Sequence, residues 1–85
     1  MGTTYNGWKN RQTWNCALWV SNDEGLYIVA REYVQRRKDA GKRASWNGFI
    51  NSAGLDGART PDNIAYDGTR LDRRALGAML YELVS

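Results

Sequence analysis

Large apolar side chains recur at helical spacing along most of this chain, and that periodicity constrains the fold more than any other feature. Trp14, Ala17 and Leu18 fall at i, i+3, i+4, one face of an α-helix. Asn10 can cap it by accepting a bond from an unpaired amide of the first turn, so a first helix is predicted over residues 11–20. Trp19 lies well round from Leu18, which puts aromatics on two sides of this helix. Leu26, Val29, Ala30, Tyr33 and Val34 share a face of a second helix over 22–39. Ser21 and Glu24 match a capping box at its start, Asp23 and Glu24 suit the positive end of its dipole, and Gly41 is its stop. One continuous helix over 11–39, with Gly25 inside it, is the alternative.

A third, short helix follows Ser45 as cap, with Trp46, Phe49, Ile50 and Ala53 at i, i+3, i+4, i+7 and Gly54 at its end. Leu55 is then placed to pack back on its last turn. Residues 56–71 are irregular. Thr60-Pro61 suits a one-turn helix start, whereas Asp67-Gly68 suits a two-residue hairpin turn between 64–66 and 69–71; mostly loop is expected. In the final helix Asp72 is the cap, Leu71 can staple onto Leu76, and Leu76, Met79, Leu80 and Leu83 repeat helically. At the other end Tyr5-Asn6-Gly7-Trp8 holds an Asn-Gly turn signal, read as an ordered arm that lays Tyr5 and Trp8 on the body. The expectation is one all-α domain spanning 1–85, a compact bundle of three to four short helices with an ordered N-terminal arm and an irregular 56–71 loop.

Composition narrows the chemistry. The 85 residues contain four Trp, five Tyr and one Phe, enough to supply much of a small core, but no His and a single cysteine, Cys16. Imidazole acid–base catalysis, Cys/His zinc sites and an intramolecular disulfide are thereby excluded, and neither metal nor cofactor is expected. No apolar run reaches the roughly 20 residues of a membrane span, and residues 1–5 are not a signal peptide. The chain reads as soluble and cytoplasmic, with no membrane partner. Its formal charge of +3 is unevenly spread, residues 31–43 alone carrying an excess of four positive charges.

Two clusters are candidates for binding. Around Asn10, Thr13, Trp14, Asn15 and Trp19, the structural explanation has Asn10 and Thr13 managing a helix start while the indoles make core. Asn15, if buried, must then find amide partners, which would fix the arm to the first helix. The functional reading leaves Trp8 or Trp19 partly exposed beside Lys9 and Arg11, since Trp and Arg dominate interface hot spots. The basic cluster Arg36, Arg37, Lys38, Lys42 and Arg43 is either a solvated helix end or a phosphate contact that releases counterions. Arg70, Arg73 and Arg74 would extend it if the last helix starts beside it. Asp23-Glu24 is explained by capping rather than as a catalytic pair. Cys16 is expected as a small buried hydrophobe, and Gly41-Lys42-Arg43-Ala44-Ser45 lacks the upstream glycine of a P-loop.

Residues 5–27 also resemble a known block. Tyr5-Asn6-Gly7-Trp8-Lys9-Asn10, Thr13-Trp14-Asn15, Leu18-Trp19 and Asn22-Asp23-Glu24-Gly25-Leu26-Tyr27 are similar to a family of small uncharacterised proteins of phages, plasmids and bacteria. Its signature is Gly-Trp-x-Asn-x-x-Thr-Trp-Asn-x-x-Leu-Trp…Asn-Asp-Glu-x-Leu-Tyr; Thr60-Pro61-Asp62 and the last helix are similar more loosely. This chain departs from it at Arg11-Gln12, where members often carry Tyr-Glu. The resemblance implies a small helical accessory protein of phage or mobile-element type and no particular chemistry.

The expected function is therefore non-enzymatic: binding, and modulating or inhibiting, a host or phage macromolecule. A protein partner is favoured, met by Trp8, Lys9, Arg11 and Trp19, with the basic cluster speeding encounter. The alternative is a nucleic-acid-binding protein that uses Arg36, Arg37, Lys38, Lys42 and Arg43 as a phosphate clamp. A homodimer would be one way to hide surplus aromatic surface.

Overall fold

The computed structural model describes residues 7–84, which form four helices, α1 (Arg11–Asn22), α2 (Glu24–Asp39), α3 (Trp46–Ala53) and α4 (Arg73–Glu82). Among the described residues there is no strand, only an isolated antiparallel bridge between Arg59 and Ala65. Asn10 caps α1 as its sequence position predicts, its Oδ1 accepting from the Thr13 amide at 2.9 Å and the Thr13 hydroxyl at 2.7 Å. The capping box is not formed. Because α1 continues past Val20, Ser21 is helical and its hydroxyl turns to the Met79 sulfur. Asp23 takes over both duties. Its own N–H closes α1 on the Trp19 carbonyl at 2.8 Å, while its Oδ1 accepts from the Leu26 amide at 3.0 Å to open α2. The extended backbone of Asp23 thus breaks what would have been one long helix.

At the other end of α2 the Gly41 amide bonds the Lys38 carbonyl and the Lys42 amide bonds the Arg37 carbonyl, with Gly41 at φ +70°. This paired pattern satisfies the last carbonyls and needs a residue that tolerates the left-handed region. Ser45 and Asp72 cap α3 and α4 through the Gly48 and Ala75 amides. Gly54 ends α3 with its φ positive, which lets the Leu55 amide reach the Ile50 carbonyl at 2.9 Å and brings Leu55 against the core.

The inward faces meet around Trp46 and Phe49, whose ring centroids stand 5.4 Å apart, with Tyr33 tilted against Phe49 at 6.2 Å. Trp46, Phe49, Leu76, Leu80, Val20 and Val34 are fully buried. The Trp46 indole satisfies its N–H on the Tyr66 carbonyl at 2.8 Å, tying the irregular segment to the core. Leu71 and Leu76 are both buried there as well. Val29, expected on the inward face of α2, is instead 38% exposed. It lies at the flank of the stripe made by Leu26, Ala30, Tyr33 and Val34.

The 56–71 segment is irregular; a turn does run through Asp67, closed by the Gly68 amide on the Ala65 carbonyl at 3.3 Å, but it makes no hairpin, and the antiparallel reversal lies elsewhere. The chain reverses over residues 60–64: the Asn63 amide bonds the Thr60 carbonyl, and the Thr60 amide bonds the Ile64 carbonyl, each at 2.8 Å. Pro61 restricts the bend and Asn63 accepts φ +69°, a left-handed conformation that asparagine tolerates. Thr60-Pro61 therefore opens this turn rather than a helix. Asp67 is drawn elsewhere, its carboxylate accepting from the Gly57 amide and its carbonyl from Arg73.

Candidate functional site

The polar residues of α1 meet the 60–72 segment. Asn15, 1% exposed, donates through Nδ2 to Asp62 Oδ2 at 2.7 Å and accepts from the Thr60 hydroxyl at 2.6 Å. The Trp19 indole N–H donates to the same Asp62 oxygen at 3.0 Å. Thr60 Oγ1 in turn accepts from the Asp62 and Ile64 amides, which holds the turn in shape. At the N-terminal end of α1, Thr13 Oγ1 accepts from the Asp72 amide at 2.9 Å, and Asn10 donates to the Arg70 carbonyl at 2.8 Å. Asn15 and Trp19, helped by the charge of Arg11, hold the Asp62 carboxyl below the usual carboxylate range. Ionised, this acceptor strengthens both bonds it receives.

Asn10, Thr13, Asn15 and Trp19 are thus fasteners between α1 and the 60–72 segment. Among the described residues Asn15 binds that turn, whereas residues 1–6 of the arm to which the sequence reading tied it lie outside them. Asp62 and Thr60 were outside the expected site residues. The signal for them was an amide flanked by Trp14 and Cys16 on a buried face, which had to find a partner somewhere. Of the indoles only Trp46 is fully buried; Trp8, Trp14 and Trp19 are partly exposed. Cys16 is buried as expected, its thiol 3.7 Å from the Ala65 carbonyl and pushed up to about 12 by burial.

The expected contact residues fall on two sides of α1. Arg11, Asn15 and Trp19 succeed one another at four-residue spacing, the row that faces Asp62. Trp8 lies over the other side and stands between two shallow depressions. One, about 180 Å³, is shared with Trp14, Ala17 and Leu18. The other, about 360 Å³, is shared with Ala75, Ala78 and Met79. Lys9 and Arg11 are exposed, whereas Tyr5 of the expected arm lies outside the described residues.

The basic cluster is divided by its hydrogen bonds. Arg36 reaches Ser52 on α3 at 3.3 Å, and Arg37 donates to the Arg43 carbonyl at 2.8 Å, bracing the turn after α2. Lys38, Lys42 and Arg43 remain exposed. Arg43 also reaches a second basic group, because residues 43–45 run beside α4. There Arg43, Arg73 and Arg74 line a cleft of about 450 Å³, floored in part by Ala44, Gly77 and Ala78. Arg70 is not among its lining residues.

Fold and site define a small all-α bundle whose most regular polar network is devoted to holding one turn. The chain belongs to a family of unknown function, DUF7249, which it matches over residues 1–85. Neither a curated protein nor a solved structure matches it.

Proposed function

We propose that the protein is a non-enzymatic accessory protein that binds, and thereby modulates or inhibits, another protein of a host cell or phage. The observation that carries this reading is Trp8, a partly exposed indole set between two apolar-lined depressions, with Lys9 exposed next to it in the chain. Such a surface suits an inserted apolar side chain of a partner, with a cation at the rim; the exposed Arg11 lies on the Asp62 side of α1. The reactive groups point the same way. Asp23 and Asp72 are spent on caps, Asp62 on the clamp, and Cys16 is buried and protonated. Likeness of the Trp-rich block to small proteins of phages and plasmids supports a mobile-element setting, with the host cytoplasm as its place of action.

A tagged pull-down from host lysate, with and without nuclease, tests this. A stoichiometric protein that survives nuclease and moderate salt, and is lost with Trp8→Ala, is the expected result. Loss of every partner on nuclease treatment would overturn it. The second reading, nucleic-acid binding, is favoured by the exposure of Lys38, Lys42 and Arg43 beyond the end of α2. It requires affinity that falls steeply with salt, which an apolar contact does not show.

A further inference from the structure

The cleft beside α4 has a composition that the fold does not require. Three guanidinium groups, those of Arg43, Arg73 and Arg74, line it, and no carboxylate does. Arg73 is held by two neutral acceptors, Asn47 Oδ1 at 2.9 Å and the Asp67 carbonyl at 3.1 Å, so its position is fixed while its charge is not cancelled. Arg43 and Arg74 are exposed, and among the described residues neither side chain is hydrogen-bonded or ion-paired. Three positive charges around one cleft without a counter-charge in its lining make its potential positive and favour an anion there.

The floor of the cleft makes the same case by a different route. Gly77 sits inside α4, where glycine is among the poorest helix formers. Packing does not demand it, because a Cβ there would meet only the Trp46 backbone nitrogen, at an ordinary 3.9 Å. Gly48 is the contrast, since a Cβ on it would collide with the Tyr33 hydroxyl. What the missing side chain of Gly77 does provide is depth in the cleft. Ala44, Ser45, Ala78 and Tyr81 complete a lining that mixes apolar surface with the three cations, with Tyr81 fixed by accepting from the Ala44 amide at 2.8 Å. A volume of about 450 Å³ exceeds what a bare phosphate fills and falls in the range of sites for small organic ligands.

We infer that this cleft is a seat for a phosphate ester with an apolar body, a nucleotide either free or within a single nucleic-acid strand. The arginines take the phosphate oxygens in charge-assisted bonds, and the floor over Gly77 takes the base or sugar. The inference is independent of the Trp8 surface.

Nuclear magnetic resonance titration of the full chain tests it, with adenosine monophosphate, adenosine and a short oligothymidylate as probes. Adenosine monophosphate or the oligonucleotide is expected to shift the amides of residues 43–45 and 73–78, while adenosine leaves them in place. A response to the monophosphate alone identifies a free nucleotide, and a response to the oligonucleotide identifies a strand; either supports the seat. Arg74→Glu and Gly77→Leu should each weaken binding at least about tenfold, the scale of one lost charge-assisted bond. Arg31→Gln, a basic residue of α2 outside the cleft lining, should leave it within about twofold. The inference is overturned if neither phosphate probe shifts these amides, or if Gly77→Leu, folded by circular dichroism, binds as the unaltered chain does. Equal loss in Arg31→Gln would also overturn it, because a diffuse basic surface would then explain the binding.

Discussion

Replacing Asn15 by Ala removes the centre of the clamp between α1 and the 60–64 turn. Two bonds go at once: the donation to Asp62 at 2.7 Å and the acceptance from Thr60 at 2.6 Å. A hydrogen bond contributes about 1 kcal/mol net, and a buried polar group left without its partner costs about 1–3 kcal/mol. Thr60 is 4% exposed, so water cannot readily replace the lost acceptor. The expected cost is about 2–4 kcal/mol, a large fraction of the roughly 5–15 kcal/mol that holds a domain together. Urea unfolding followed by circular dichroism reads it as a lower midpoint at unchanged slope. Trp19→Phe keeps the ring but removes the second donor to Asp62 Oδ2. Because both donors share one oxygen, the double variant should be non-additive with the two single ones by at least about 0.5 kcal/mol. An Asn15→Ala cost below about 1 kcal/mol, or strict additivity with Trp19→Phe, would refute the clamp.

The remaining predictions concern other consequences of the same packing. Gly77→Ala should raise stability by about 0.5–1 kcal/mol through helix propensity, whereas Gly48→Ala should lower it by about 1–2 kcal/mol because Tyr33 must yield; thermal melts of the two variants give opposite signs. Asp62 ionises at lower pH folded than unfolded. Its contribution is therefore present above the unfolded pKa and disappears as pH falls through the lowered folded value. The acid limb of a stability–pH curve should be shallower in Asp62→Asn. Cys16, buried with its pKa at about 12, should resist thiol reagents at neutral pH in the folded chain and react fully in denaturant.

Periodicity and caps carried most of the fold, and its failures are physical ones. Asn10, Ser45 and Asp72 cap as their positions suggest, because each precedes an apolar helical face directly. Ser21 failed because the capping box is a local pattern, and α1 simply ran two residues further on to an Asp that caps as well. Val29 satisfied helical spacing only at the flank of the buried stripe, where spacing alone does not decide exposure. In the 56–71 segment two turn signals competed. Bonds to Asp67 from Gly57 and Arg73, ten and six residues away, accompany a turn there that does not become a hairpin, and turn propensity alone does not encode those bonds. The candidate site was legible in part. Exposure of Lys9 and Arg11 needed no more than their positions, but Trp19 bonding to Asp62 spans 43 residues of sequence. The meeting of Arg43 with Arg73 and Arg74 was foreseen only as an extension of the basic surface. Its closure into a cleft depended on residues 43–45 lying against α4.

The central proposal is a division of labour, in which Asn10, Thr13, Asn15 and Trp19 hold the fold and the Trp8 surface makes the contact. Capture of a protein partner from nuclease-treated lysate, measured per mole of folded bait for Trp8→Ala and Asn15→Ala in parallel, tests it most directly. The account predicts that Trp8→Ala keeps its helical circular dichroism and loses the partner, while Asn15→Ala, though less stable, captures as much per folded molecule as the unaltered chain. Undiminished capture by folded Trp8→Ala, or loss of capture by the folded fraction of Asn15→Ala, would contradict it.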